Sequence, residues 1–429
     1  MQRMLLVAAI AAMFAAPALA TPYASGIQNL GGGTYSFVLN QAADNVTILR
    51  PGDTTLNLGA LPAGTHTFSV GAASGFRIYV SSSTPVGWTQ ISPENMDTSF
   101  YGPRGVSVNR IPGHPEFGSI YVSNAVAGTT AFGRPTQDGI YKLKADATDA
   151  GFYTGGVDWV AAGNSSPFKT TIGPDGHLYV ADYSRDLAWE FSDDLNSATQ
   201  LIDASNKTAG QYVESIWVEG TQAAGNRKIY LVNSHYTDPR RGLIQYDLGG
   251  NATATPGDTG TQYIGPDYFA FYPRDVARDA NGDWYMNQYR YDPTQAAAIS
   301  KFLDGPPPIN TAAWETPKTA PYNGAYGIDA CDTMGWVAYG NYYDGKFYVF
   351  NMADGSFVSS FLSGRRLLEV AFDIAGNIYT VDNLDERLRI FSPGGDWLAI
   401  TDSSGWFQLL PEPASLLLLG LGTLLLRRR

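Results

Sequence analysis

Six copies of one short strand-like phrase, repeated at blade length in a Gly-rich, weakly charged chain, predict an all-β protein. The expected form is a six-bladed β-propeller preceded by a small β-sandwich-like domain. The copies read GSIYVSN (118–124), GHLYVAD (176–182), RKIYLVN (227–233), GDWYMNQ (282–288), MGWVAYGN (334–341) and GNIYTVD (376–382). Each has a polar or turn-type lead and alternating apolar and aromatic residues, and closes on Asn, Asp or Gln, the pattern of a half-buried strand. Closing residues recur at about 40 to 60 residues, against about 40 to 50 for a four-stranded blade, which leaves room for loop insertions. The composition agrees, with 47 Gly, 26 Tyr and only 16% charged residues.

The first element, residues 1–20, reads as a signal peptide. Arg3 gives a positive start, Met4 to Ala16 an apolar run, and Ala18-Leu19-Ala20 a cleavage signal before Thr21. Residues 21–95 form the small β-rich domain. DNVTILRPGDTTLNLG (44–59), LNLGALPAGTHTFSV and GFRIYVSSS alternate at period two between Gly and Pro punctuation, and Ser81 to Pro85 begins a linker. A seventh blade is the rival reading, and the missing phrase argues against it. Residues 100–402 form the propeller. An apolar strand precedes each phrase (RGVSVNR, KTTIGPDG, ESIWVEG, RDVARDANG, YGIDACD, EVAFDIAG), and another follows most of them, such as KFYVFNMADG and RLRIFSPGGDW. DG, NG and GG pairs suit tight hairpins because Gly tolerates positive φ. A lone blade cannot bury both faces, so the blades stack around an axis. Residues 403–429 are a linker and an apolar tail.

The net charge is -12, with no basic patch outside the tail, which argues against a nucleic-acid partner. Cys331 is the single cysteine, so no internal disulfide forms, and core burial must hold the chain. His66, His114, His177 and His235 match no metal-ligand spacing.

In a propeller the phrase strands end on one common face. Asn124, Asp182, Asn233, Gln288, Asn341 and Asp382 then form a rim, the expected ligand-binding set. Arg104, Lys169, Glu214, Asp275 and Glu369, at starts of innermost strands, point to the same opening. Converging carboxylate and amide oxygens suit Ca²⁺ or another divalent cation. The competing role for Asn and Asp at strand ends is to cap turns by bonding local backbone. Tyr183, Tyr236, Tyr289, Tyr291, Tyr342 and Tyr343 follow the rim, where rings stack on sugar faces or simply pack between blades. No G-x-S-x-G motif occurs, so no catalytic residue is assigned. Asp279 to Asp283 begins like a calcium loop, but Trp284 and Arg290 stand where Gly and Glu are needed, so a hairpin turn is expected.

Two resemblances add to this. TIGPDGHLYVADYSRDLAWEFS (171–192) and EVAFDIAGNIYTVDNLDERLRIFSPGGDW (369–397) resemble the repeats of NHL-type and gluconolactonase-like propellers, over roughly residues 100 to 400. That resemblance implies a divalent metal held by Glu214 or Glu369 with Asn233 and Asp382, and a lactonase-like hydrolase or lyase in the axial funnel. At the other end Pro411-Glu412-Pro413, the apolar run 414–426 and Arg427, Arg428 and Arg429 resemble the PEP-CTERM sorting signal of Gram-negative bacteria. The run is roughly 20 Å of helix at 1.5 Å per residue, short of the roughly 30 Å hydrocarbon core. This resemblance implies transient contact with the inner membrane, processing by an exosortase and the export machinery, and release or surface attachment in an exopolysaccharide-producing host. A tail anchor that is never cut is the alternative. The expected function is a non-enzymatic exported module of the cell surface or extracellular matrix that binds exopolysaccharide or surface proteins. The hydrolase is the runner-up, and a ligand-free scaffold the third option.

Overall fold

The computed structural model describes residues 22 to 411, apart from 53, 72–74, 85–86, 206–212, 236–237, 270, 290–296 and 320. Six four-stranded antiparallel sheets follow one another along the chain. Their innermost strands are Pro103–Val108, Thr170–Ile172, Val213–Glu219, Tyr272–Arg278, Ala325–Cys331 and Leu367–Phe372. Each packs on the next and the last packs on the first, so the six-bladed ring closes as expected. The phrases form the second strands: Ile120–Asn124, Leu178–Asp182, Arg227–Asn233, Trp284–Tyr289, Trp336–Asn341 and Ile378–Asp382. Blade six takes its outermost strand, Thr89–Gln90, from ahead of blade one, pairing Gln90 with Phe391 and Thr89 with Ser392.

The aromatic residue of the phrase has a structural reason. At the end of the ring where first strands turn into second strands, Asp279 and Asp373 open D-x-x-G turns, and Asp175 sits in the equivalent turn directly before its glycine. Gly176, Gly282 and Gly376 there have φ of +84°, +89° and +83°, a conformation that L side chains resist. One carboxylate oxygen accepts turn amides, as Asp279 does from Asn281 and Asp283, at 3.0 and 2.9 Å. The other accepts the phrase tyrosine hydroxyl: Tyr179 on Asp175 at 2.7 Å, Tyr285 on Asp279 at 2.9 Å and Tyr379 on Asp373 at 3.0 Å. The 279–283 segment is thus the expected hairpin turn.

The small domain has two sheets. One orders Ala24–Gly31, Thr34–Leu39 and Gly64–Ser69; the other orders Thr54–Leu61, Ala43–Arg50, Arg77–Thr84, Gly395–Asp402 and Phe407–Pro411. Phe37, Val46, Ile48, Phe68, Phe76, Ile78, Val80 and Ala399 fill the space between them. Two of its strands therefore come from the far end of the chain. Gly395–Asp402 lies in this sheet and not in the propeller, and residues 407–411 are a strand where a linker was expected. The cause is long-range pairing, with Ile400 opposite Tyr79 and Thr401 opposite Ile78, which local patterns do not carry. Pro411 ends an edge strand, where its missing N–H costs nothing. Residues 1–21, and the tail residues Glu412, Pro413 and Arg427 to Arg429, lie outside the described residues. Tyr23, Phe117 and Phe407 pack with Ile374 and Ala375, which seats the sandwich against the turn end of blades one and six.

Candidate functional site at the propeller mouth

The opposite end of the ring is the mouth, where second strands finish and inner strands begin. The rim residues gather there but are buried and occupied. Asn124 accepts from the Gly102 amide at 2.8 Å and donates to the Val126 and Gln137 carbonyls, both at 2.9 Å. Asp182 accepts from Ser166, Arg185 and Trp189. Asn233 bonds Asp238, the Arg240 carbonyl and the His235 amide. Gln288 accepts from the Phe271 amide. Asn341 accepts from the Tyr343 and Asp344 amides. Asp382 accepts from the amides of Arg365, Arg366, Leu384 and Asp385 and faces Arg389. All six are fully or almost fully buried. Their polar atoms hold the loops around them, so the expected ligand role gives way to capping.

Of the expected metal set, Glu214 is tied to Ser234 and Arg274, Asn233 to Asp238, and Asp382 to loop amides. Glu214, Glu369 and Asp382 do not form a trio with oxygens all within 4.8 Å of one another. Among the described residues one trio has that spacing: Asp175, His177 and Glu190, half-buried at the turn end of blade two. There the Arg227 guanidinium sits 2.7 Å from Glu190, and Glu190 also accepts from His177, so the group is balanced internally.

What lines the mouth is set by backbone geometry that sequence reading missed. In five blades the inner strand bulges within its first paired residues: between Pro103 and Gly105, Val213 and Ser215, Pro273 and Val276, Ala325 and Gly327, and Leu367 and Glu369. A bulge adds an unpaired residue and re-aims its side chain. The bulged positions hold Arg104, Glu214, Arg274 with Asp275, Tyr326 and Leu368. The layer just beneath is crowded. A Cβ on Gly327 would lie 2.5 Å from the Glu369 Cα, so glycine lets adjacent inner strands touch at the axis.

The resulting site is cationic and aromatic. The Arg274 guanidinium sits 4.9 Å from the ring centres of Tyr272 and Tyr326 and 5.0 Å from that of Tyr289. Tyr326 and Tyr342 stack at 5.4 Å, and Tyr289 lies 5.5 Å from both Tyr342 and Tyr343. Arg366 lies 4.7 Å over Tyr342. Arg104 donates to the Asn164 carbonyl at 2.8 Å, and its Nε is buried without a partner. Of the predicted aromatics, Tyr342 and Tyr343 thus belong to the mouth, while Tyr236 and Tyr291 lie outside the described residues. Tyr326, Arg274 and Arg366 were not foreseen. For Arg274 and Tyr326 the inner-strand bulges shift which residue faces the mouth, while Arg366 sits in the loop just before its strand.

Beneath the mouth an ion-pair layer closes the axis. The Lys169 Nζ is 2.8 Å from Asp275, 3.4 Å from Glu369 and 2.8 Å from the Tyr326 carbonyl it donates to. Burial, and then the neighbouring Asp275 charge, push the Glu369 carboxyl well above the usual carboxylate range. Glu214 accepts from Ser234 and pairs with Arg274, each at 2.7 Å, while its Oε1 is buried without a hydrogen-bond partner. Burial lowers the Arg274 pKa, but the Glu214 charge and hydrogen bond together with the neighbouring tyrosines outweigh it, and the net shift is upward. For Arg104 burial prevails and the shift is downward. Below the layer lies an axial cavity of 200 Å³, lined by Ser107, Thr170, Ser215 and Asp329 among others and bounded by Arg110. Asp275 and Asp329 each accept from an inner-strand amide of the next blade, Ile328 at 2.8 Å and Phe372 at 2.7 Å, so both tie blades together.

No protein-family model and no curated protein matches the chain. Among solved structures it is similar to virginiamycin B lyase from Staphylococcus aureus at 12% identity, over 76% of this chain and 89% of that one, with a TM-score of 0.39. It is similar to the PQQ-bound aldose sugar dehydrogenase of Streptomyces coelicolor at 14% identity, over 74% and 99%, with a TM-score of 0.45. It is also similar to regucalcin, a calcium-binding protein from Agrobacterium tumefaciens, at 11% identity, over 70% and 92%, with a TM-score of 0.44. These likenesses are of β-propeller architecture and say nothing of what this chain binds.

Proposed function

We propose that the chain is an exported β-propeller that binds a glycan or protein partner at its mouth, after sorting and trimming by an exosortase at the tail. The observation that carries the binding reading is the aromatic and guanidinium lining: Tyr272, Tyr289, Tyr326, Tyr342 and Tyr343 with Arg274 and Arg366. Rings at a concave opening stack on sugar faces, and the guanidiniums donate to hydroxyls and acids. The sandwich, with Pro411 at its edge, occupies the other end of the ring and so leaves the mouth to a partner. Retention on an array of bacterial exopolysaccharides tests this, with Tyr342→Ala/Tyr343→Ala as comparison. Equal absence of retention for both proteins refutes it. Intact mass of the mature protein tests the tail, since trimming ends the chain near residue 411.

One observation favours a second reading, a lactonase-like hydrolase or lyase: the partnerless Glu214 Oε1 at the base of the mouth, an oxygen that suits a divalent cation or a proton in transfer. Lactone turnover with and without Ca²⁺, absent in Glu214→Gln, tests it.

A further inference from the structure

We infer that the mouth is an anion site, built to take a carboxylate carried on a sugar through Arg104 and Arg366. This rests on the mouth being the binding site and adds the charge of what it binds.

The argument is one of pairing. The chain is acidic at -12, yet its mouth holds four cations. Two of them are matched: Arg274 by Glu214, and Lys169 by Asp275 and Glu369. Among the described residues Arg104 and Arg366 have no carboxylate within 4.0 Å, the range that defines the other pairs. Arg104 is the more telling. Its side chain is half-buried, it makes one hydrogen bond, to a carbonyl, and its buried Nε has no partner. Glu214 acts on it only at a distance and is itself bonded to Arg274, so Arg104 lacks the direct carboxylate contact that such groups ordinarily have.

The backbone of both arginines is anchored. Arg104 occupies a bulge between two paired residues, and the Arg366 amide is fixed on Asp382. Both face Tyr342: Arg366 lies 4.7 Å over its ring, and Arg104 interacts electrostatically with its hydroxyl and with Arg366. Two cations beside one aromatic platform repel each other until an anion sits between them. A guanidinium matches a carboxylate with two parallel hydrogen bonds, and the ring beside it offers a surface to a sugar. A uronic acid residue carries both features.

The test uses affinity electrophoresis and calorimetry of the full mature chain with polygalacturonate, its methyl ester and dextran. Polygalacturonate is expected to bind, with affinity falling as salt rises, and the ester to bind at least tenfold more weakly. Arg104→Ala/Arg366→Ala should lose at least tenfold for the acid and little for the ester. Arg104→Ala should melt no lower than wild type, because it removes a half-buried charge with no direct carboxylate contact. Equal binding of acid and ester, or of the ester and dextran alone, overturns the anion inference and leaves the mouth reading standing. No binding of any polymer overturns both. Displacement by inorganic sulfate as effective as by free galacturonate overturns the sugar-borne carboxylate in favour of a simple anion site. A marked drop in the melting temperature of Arg104→Ala assigns Arg104 a structural role and overturns the inference as well.

Discussion

Asn124→Asp separates capping from ligand binding at the rim. Asn124 is fully buried, accepts one amide and donates to two carbonyls, both at 2.9 Å. The substitution keeps shape and the accepted bond but turns the donor edge into an acceptor facing two acceptors. Two lost hydrogen bonds cost about 1 kcal/mol each. Holding the new carboxylate charged there costs about 1.4 kcal/mol per unit of raised pKa, and about two units is a modest shift for such burial. The deficit at pH 7 is therefore about 4–5 kcal/mol. The new group's folded pKa lies above its unfolded value of about 3.9. Its deficit relative to wild type is thus smallest below pH 4, where the protonated acid donates to one carbonyl, and grows as pH rises through the folded value. Urea unfolding of both proteins at pH 4 and pH 7 measures it. A difference within 1 kcal/mol at both pH values, or one that ignores pH, refutes the capping role.

Further expectations follow from other parts of the molecule. Burial first, and then the Asp182 and Asp203 charges against the bond from the Val213 amide, push the Asp186 carboxyl up to about 7. The unfolded chain releases that proton near pH 4, so the stability it lends is complete below pH 4 and is lost as pH rises through 7. Asp186→Asn should remove that slope and gain about 1–2 kcal/mol at pH 8, after allowance for partial exposure; identical pH profiles in the two proteins would exclude it. Burial pushes the Cys331 thiol up to about 12, so a thiol reagent at pH 8 should label it only after denaturation, and fast labelling of the native chain would contradict its burial. Ending the chain at Pro393 should unfold the small domain while leaving the propeller's circular dichroism, because Gly395–Asp402 sits inside its larger sheet; a protease-resistant small domain in that variant would show that the pairing is dispensable.

The ring was legible because its blades repeat a local code. In three blades a turn aspartate, a glycine, the phrase tyrosine and a closing polar residue recur in order, and the aspartate has a short-range partner, as Asp373 has Tyr379. The site was less legible for two reasons. An inner-strand bulge shifts which residue faces the mouth, so Asp275 and Glu369 were aligned with Arg104 although Arg274 and Leu368 share its position, and Tyr326 was passed over. Polar residues at strand ends also look alike whether they cap or bind, and only burial separates Asn124 from Tyr343. The pairing of 395–411 with the first domain was hidden because its partners lie more than 300 positions away, as Ser83 and Asp396 do.

That interlacing bears on how the protein is made. The small domain lacks the strand that pairs with Arg77–Thr84 until residue 402 has emerged, and blade six waits for strand 89–90 to find it. For most of translation the edge at 77–84, which carries Ile78, Tyr79 and Val80, therefore stands open, and an open edge recruits foreign strands. A chain of this design is completed at both ends at once. Assembly of its first domain is deferred until the last strand arrives.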